Sequence, residues 1–177
     1  MTTTKQVDQP KPTNPPPDLL NLPNDFQSQV KYGTPSDDDM GLLAALRAAS
    51  SPWKERGETP AESLEALTKL RPFVQVAKVT TNLIGYVTIE RDGPVPGAAY
   101  MRNIVVKPEL RKKGVGHLLL NRALEVAREM NRKTLALRVD PANAPAVNFY
   151  RKEAFTTVAT VVSKKSGKLR LLMSKEL

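Results

Sequence analysis

Residues 103–116 read NIVVKPELRKKGVG, and this stretch combines a predicted strand, a glycine-containing loop and the start of a predicted helix. It begins with an apolar run typical of a strand, which Pro108 stops. A basic loop with two glycines follows, and helical periodicity starts at Val115. A second strand is predicted at residues 134–139, after the helix, so the two strands should lie parallel.

The loop has the properties of an anion site. A helix that begins at Gly114 leaves its first backbone N–H groups without intrahelical partners, and its dipole adds positive charge there. Gly114 and Gly116 carry no side chains, so a bulky anion can approach the backbone closely. The surrounding basic residues are Lys107, Arg111, Lys112 and Lys113. We predict a pyrophosphate site, against the alternative of a basic turn without a ligand. The spacing is neither that of a P-loop nor of a G-x-G-x-x-G turn.

Further elements are predicted on both sides of this loop. Upstream lie a strand near residues 26–32, a helix capped by Asp37–Asp39, and a helix that starts with the capping box at residues 59–62. Strands follow at residues 74–78, 84–89 (after a turn at Asn82) and 99–107. Downstream, Asn143 caps a short helix, and residues 156–162 and 169–175 form a closing hairpin. The order predicts a mixed α/β fold with a mostly antiparallel sheet.

The N-terminal segment differs in composition from the rest. Residues 1–26 contain PKPTNPPP and almost no apolar pattern, so we predict a disordered, proline-rich tail before one domain at residues 27–177. The net charge is +9, and residues 1–40 hold three lysines and six aspartates, so the basic residues concentrate in the remainder. A basic body suits an anionic ligand, either a phosphorylated cofactor or a nucleic acid.

Composition excludes several classes of site. The chain has no cysteine and one histidine, His117, which excludes disulfides and thiolate zinc sites and disfavours any metal centre. No apolar stretch has the length of a signal sequence core or a membrane span, so a cytoplasmic protein is expected.

Two motifs in series resemble those of the GNAT acetyltransferase superfamily. Residues 111–116, RKKGVG, fit the family's (Q/R)-x-x-G-x-(G/A) cofactor motif, and residues 104–111, IVVKPELR, are similar to its lead-in strand. Residues 143–155 are similar to N-x-x-A-x-x-(L/F)-Y-x-x-x-G-F. The resemblance covers roughly residues 27–177. It implies a splayed central sheet with helices on both faces, and an enzyme that uses acetyl-coenzyme A and no metal.

The resemblance also implies roles for individual residues. Tyr150 would act as the catalytic acid that protonates the departing coenzyme A thiolate. Asn143 would bind the pantetheine arm. The other cofactor-binding residues would be Ile104, Val105 and Val106, which pair with pantetheine, and Arg111, Lys112, Lys113, Gly114, Val115, Gly116 and His117 at the pyrophosphate.

Two positions depart from the family's pattern. Ala154 replaces the glycine before Phe155, which costs roughly 1 kcal/mol if that backbone is left-handed. The branch that acetylates ribosomal-protein N-termini usually has Glu-Val-Arg where this chain has Arg138, Val139 and Asp140, so its glutamate base is missing. Glu90, Tyr100 and Asp140 are the candidates for a general base, and Trp53 either touches the substrate or packs.

The expected reaction is acetyl transfer to a primary amine of a small molecule or protein. Two alternatives stay open: acetylation of aminoacyl-tRNA or another RNA, and a non-catalytic module that binds acyl-coenzyme A. A nucleic-acid partner is less favoured because no aromatic residues are interleaved with the basic ones for base stacking. We expect no membrane partner, and either a monomer or a homodimer.

Overall fold

The computed structural model describes residues 22–164 and 166–177. Within these residues the strands are β1 Val30–Gly33, β2 Val74–Val79, β3 Asn82–Glu90, β4 Ala99–Val106, β5 Thr134–Val139, β6 Thr156–Val162 and β7 Leu169–Glu176. The α-helices are α1 Asp37–Ala48, α2 Pro60–Leu70, α3 Val115–Glu129 and α4 Ala144–Lys152.

All of these strands belong to one sheet in the order β1-β2-β3-β4-β5-β7-β6. Every neighbouring pair is antiparallel except β4 and β5, which are parallel. One hydrophobic core lies between the sheet and α3, and a second lies between β2, β3 and β4 and the helices α1 and α2. The prediction of a mixed, mostly antiparallel sheet with helices on both faces is therefore confirmed.

Helix starts follow from local side chains. Thr59 caps α2 in a capping box with Glu62, and Pro60 occupies the first turn, as the sequence predicts. The predicted cap of α1 at Asp37–Asp39 is wrong, because Ser36 is the N-cap. Only a cap at Ser36 places Asp39 at the third helical position, where its carboxylate can accept from the Ser36 backbone N–H.

Two predicted boundaries shift for backbone reasons. Asn82 is not a turn residue but pairs with Val79 at the start of β3, and the turn lies at Thr80, whose φ is 56°. The strand predicted near residues 26–32 begins only at Val30. Before it, Phe26–Gln29 forms a 3₁₀ turn. The Phe26 N–H donates to the Pro23 carbonyl at the start of this turn.

The predicted N-terminal tail lies mostly outside the described residues. Of its last five residues, Phe26 is buried and Leu22 packs against the same core as α3. A boundary between tail and domain at residues 26 and 27 stays a prediction.

Candidate active site

Strands β4 and β5 separate beyond a short parallel contact. Residues 99–101 of β4 pair with residues 135–137 of β5, and the register between the two strands extends no further. Directly after this contact, Arg102 is an extra residue in β4, because Thr88 pairs with Asn103 while Ile89 pairs with Met101. Such a bulge bends the strand that contains it. The sheet therefore opens on the β5 side of β4.

The predicted cofactor-binding residues on β4 lie along this opening. Ile104, Val105 and Val106 pair with β3 on one side, and the register with β5 does not extend to them. Val105 points into the core under α1 and α2, so its backbone, and not its side chain, faces the opening. This leaves one edge of β4 available to another extended chain.

The loop before α3 folds as an anion site requires. Gly114 is the N-cap of α3, and the first helical bond runs from the Leu118 N–H to the Gly114 carbonyl at 3.1 Å. The N–H groups of Val115, Gly116 and His117 therefore have no intrahelical acceptor. Lys112 and Gly114 both have left-handed backbones, with φ of 62° and 83°. For Lys112 this conformation costs about 1–2 kcal/mol, and such strain is typical of functional sites.

A cleft of about 370 Å³ lies in front of these N–H groups. Its lining residues are Val106, Arg111, Lys112, Gly114, Gly116, His117 and Phe149. The cleft thus joins the end of β4, the start of α3 and one side of α4. Val115 is buried in the core instead and is not among the residues that line the cleft.

One contact across the loop was not predicted from the sequence. The Gln27 side chain donates from Nε2 to the Lys113 carbonyl at 3.1 Å. It also covers Gly114, where an added Cβ would lie 2.8 Å from the same nitrogen. Gln27 therefore fixes the backbone between the two left-handed residues.

The predicted pantetheine ligand, Asn143, lies at the start of α4. Its side-chain oxygen accepts from the Ala146 N–H at 3.2 Å, which confirms the predicted helix cap. At the other end of α4, Ala154 has a φ of 63°, so the residue that replaces the family's glycine does adopt a left-handed backbone.

Tyr150 lies on α4 with an apolar environment around its ring. The ring centroids of Phe149 and Phe155 are 5.3 and 5.7 Å away. Burial raises the pKa of the Tyr150 hydroxyl well above its ordinary value. The phenol therefore keeps its proton at neutral pH.

His117 is held by a residue at the end of α4. Its Nδ1 lies 2.9 Å from a carboxylate oxygen of Glu153. About half of the His117 side chain is exposed. His117 is also one of the residues that line the cleft.

The predicted base candidates are occupied by other contacts. Glu90 accepts from the Arg102 guanidinium at 2.6 and 2.9 Å. Asp140 is bound by Arg170 at 2.9 Å and caps a turn through the Ala142 N–H. Burial raises the pKa of Tyr100, which disfavours its phenolate.

Trp53 is buried in the core under α1 and α2, and the Arg47 guanidinium lies 4.3 Å from its ring centroid. Its environment is that of a packing residue, one of the two roles expected for it. Among the described residues, no group of three or more His, Asp or Glu side chains is placed to bind a metal ion. No helix in the same residues has the length and apolar character of a membrane span.

Comparison with known proteins gives a family match. The model of the "Acetyltransferase (GNAT) family" matches residues 42–155, which include β4, the loop, α3 and α4.

Curated relatives match over shorter segments. A Bacillus subtilis (strain 168) protein provisionally named ribosomal protein bS18-alanine N-acetyltransferase is 34% identical over 76 residues, 38% of this chain and 50% of that protein. Streptothricin acetyltransferase A of the same organism is 38% identical over 74 residues, 42% of either chain. The matched segments span half or less of these relatives.

Solved structures share the whole fold. Ard1 from Thermoplasma volcanium gives a TM-score of 0.69 at 21% identity, over 84% of this chain and 98% of that chain. A Salmonella typhimurium protein solved with its cofactor acetyl-CoA gives a TM-score of 0.64 at 16% identity, over 84% of this chain and 94% of that chain. At these identities the likeness establishes the fold.

Proposed function

The chain belongs to the GNAT acetyltransferase family, and on this premise we propose that it transfers the acetyl group of acetyl-coenzyme A to a primary amine. The observation that carries the proposal is that the cleft at the start of α3 reaches Val106, at the end of the β4 edge that β5 leaves unpaired. In acetyl-coenzyme A a pyrophosphate is joined to an extended pantetheine arm. The pyrophosphate needs an anion site, and the arm can pair with a strand edge next to that site.

The pyrophosphate would bind at the start of α3. The unpaired N–H groups of residues 115–117 and the left-handed loop around Lys113 would donate to its oxygens. Arg111 and Lys112 line the same cleft and would supply positive charge. A Salmonella typhimurium protein of the same fold was solved with acetyl-CoA, which supports this choice of ligand.

The pantetheine arm would lie along the opening of the sheet. Its amide groups would pair with the free backbone edge of residues 104–106, as a peptide does when it extends a sheet. Asn143 would add a hydrogen bond from the opposite side. This arrangement would direct the thioester toward the bulge at Arg102.

The chemistry would proceed by direct attack. The amine nitrogen adds to the thioester carbonyl, the carbon–sulfur bond then breaks, and the sulfur receives a proton from the Tyr150 hydroxyl. Burial raises the pKa of Tyr150, so its hydroxyl carries the proton that this role requires at neutral pH. The attacking amine gives up one proton to water as the amide forms, and Tyr150 regains from water the proton that it gave to sulfur, so the step balances.

Two measurements test the proposal. Acetyl-coenzyme A at a hundredfold excess over Kd should stabilise the protein by about 2.7 kcal/mol, which raises Tm by about 5–10 °C. Added salt should weaken this effect, since basic side chains surround the phosphates. S-acetylcysteamine, which has the thioester but no nucleotide, is the matched control and should give no shift.

Release of free thiol with a panel of amines then measures transfer. Absence of a thermal shift at millimolar acetyl-coenzyme A would overturn the assignment.

A further inference from the structure

The opening between β4 and β5 has a second face, directed toward α1 and α2. Tyr86 and Val105 pair across β3 and β4 and point into the core below these helices. Side chains alternate along a strand, so Thr88 and Glu90 share this face with Tyr86. Their partners across β4, Asn103 and Tyr100, lie there too.

Arg138 lies on the same face, directly opposite the bulge. Tyr100 is in register with Ala136, and the two pack in one small cluster. Arg138 is two residues further along β5 and therefore points to the same side. The last β4–β5 pair is Met101 with Leu137, so Arg138 occupies the first position where the strands have separated.

Arg138 carries a positive charge on this face that no carboxylate of the described residues neutralises. Each carboxylate nearby already has an arginine: Glu90 binds Arg102 at 2.6 Å, and Asp140 binds Arg170 at 2.9 Å. Arg138 forms no ion pair within 4.0 Å in the part of the chain that the structure describes, and its residue is exposed. The positive charges of Arg138 and Arg102 oppose the burial that raises the pKa of Tyr100, which fits a guanidinium close to that ring.

The floor beside Arg138 carries polar atoms without partners. Thr88 and Asn103 face each other in the register, and both are buried. Neither Thr88 Oγ1 nor Asn103 Nδ2 has a hydrogen-bond partner in the described residues. Buried polar atoms without partners are rare in folded proteins, so these two require a partner such as a water molecule or a polar ligand group.

We infer that Arg138 binds an anionic group of the acceptor, so that the substrate is an amine that also carries a carboxylate or a phosphonate. This inference rests on the proposed acetyl transfer. The guanidinium fork matches two oxygens of such a group, and the unpaired position leaves the fork available. An acceptor bound there lies beside the bulge, where the thioester is expected. A peptide N-terminus has no anionic group next to its amine and would leave Arg138 unpaired.

The experiment uses matched acceptors and the full chain. Amino acids are compared with their own amides, and aminophosphonates separate phosphonate from carboxylate. The charged member of each pair should be acetylated with the lower KM. Arg138→Gln should raise that KM about tenfold or more, since it removes hydrogen bonds to a charged group. It should leave the KM for the amide and for acetyl-coenzyme A unchanged, and Arg138→Lys should recover part of the loss.

The matched control is Arg128→Gln, which removes an exposed arginine from α3 on the opposite side of the sheet. It should change none of these constants. If acetyl-coenzyme A binds and amines without an anionic group are acetylated, but no anionic amine is, the inference is wrong while the proposed function stands. The same holds if Arg138→Gln affects acids and amides equally. Failure to bind acetyl-coenzyme A would instead count against the proposed function.

Discussion

At the scale of single residues, Tyr150 gives the most direct test of mechanism. Tyr150→Phe removes one hydroxyl and keeps the ring between Phe149 and Phe155. A proton donor that acts as sulfur departs is needed only in the transition state, so kcat and kcat/KM should fall together. We expect a loss of about a hundredfold or more. Steady-state kinetics with an established acceptor measure it, and the Kd of acetyl-coenzyme A should stay constant.

Tyr32→Phe is the control for this variant. The Tyr32 hydroxyl donates to the Leu118 carbonyl at 3.2 Å, so its loss should cost about 1 kcal/mol of stability and leave kcat unchanged. A Tyr150→Phe enzyme with the parent kcat would assign proton donation to another group. Because burial raises the Tyr150 pKa, its deprotonation should not lower kcat below about pH 10.

The sequence predicts some of these residues better than others. Tyr150 and Asn143 lie in one contiguous motif, so their positions relative to each other follow from a single helix. Gln27 reaches Lys113 across 86 positions of the chain, and no local pattern indicates such a contact. Arg138 has no ion pair among the described residues because Arg102 binds Glu90 and Arg170 binds Asp140. These contacts join separate strands or their ends, so no local sequence pattern predicts them.

At the scale of elements, the loop before α3 depends on the turn that precedes β1. Gln27→Ala removes the hydrogen bond to Lys113 and uncovers Gly114. The loop should then sample other backbone conformations, so the KM for acetyl-coenzyme A should rise severalfold while kcat changes little. Gln29→Ala, on the same turn, is the control and should leave both constants unchanged. A fall in kcat without a change in KM would contradict a role in positioning the loop.

The start of α1 carries a buried ion pair whose contribution depends on pH. Asp39 binds Lys78 of β2 at 2.7 Å and accepts from the Ser36 backbone N–H. Burial alone would raise the Asp39 pKa, but the hydrogen bonds from Lys78 and Ser36 lower it below its ordinary value. A lowered folded-state pKa adds stability above the unfolded pKa, and this stability is lost as pH falls through the folded pKa.

Asp39→Asn should therefore lower the free energy of unfolding by about 1–3 kcal/mol at pH 7. The deficit should shrink as the pH falls below about 4, where the carboxyl first becomes protonated in the unfolded parent chain, and disappear below the lower folded-state pKa. The control is Asp37→Asn, in the same turn, because its pair with Arg71 is exposed and should contribute less than about 1 kcal/mol. Urea titrations at several pH values give both numbers. Equal losses for the two variants would contradict the role assigned to burial.

At the scale of the whole molecule, the boundary of the folded domain can be tested by truncation. Removal of residues 1–21 should leave Tm and the Kd of acetyl-coenzyme A nearly unchanged, because this proline-rich segment offers little apolar surface to a core. Phe26→Ala should instead cost about 3–5 kcal/mol, since Phe26 is buried. A large loss of Tm on truncation would place part of the tail on the domain or on a partner subunit.

The short contact between β4 and β5 has a consequence for how the protein opens. Only three register pairs connect the β1–β4 part of the sheet to the β5–β7 part. Cooperative units often follow such boundaries, so the two parts should exchange their amide hydrogens as separate foldons when no ligand is bound. A ligand that forms hydrogen bonds with both β4 and β5 would have to dissociate before the β1–β4 part or the β5–β7 part could open alone. Acetyl-coenzyme A should then merge two opening reactions into one, and strands far from the cleft would gain the same protection as those beside it.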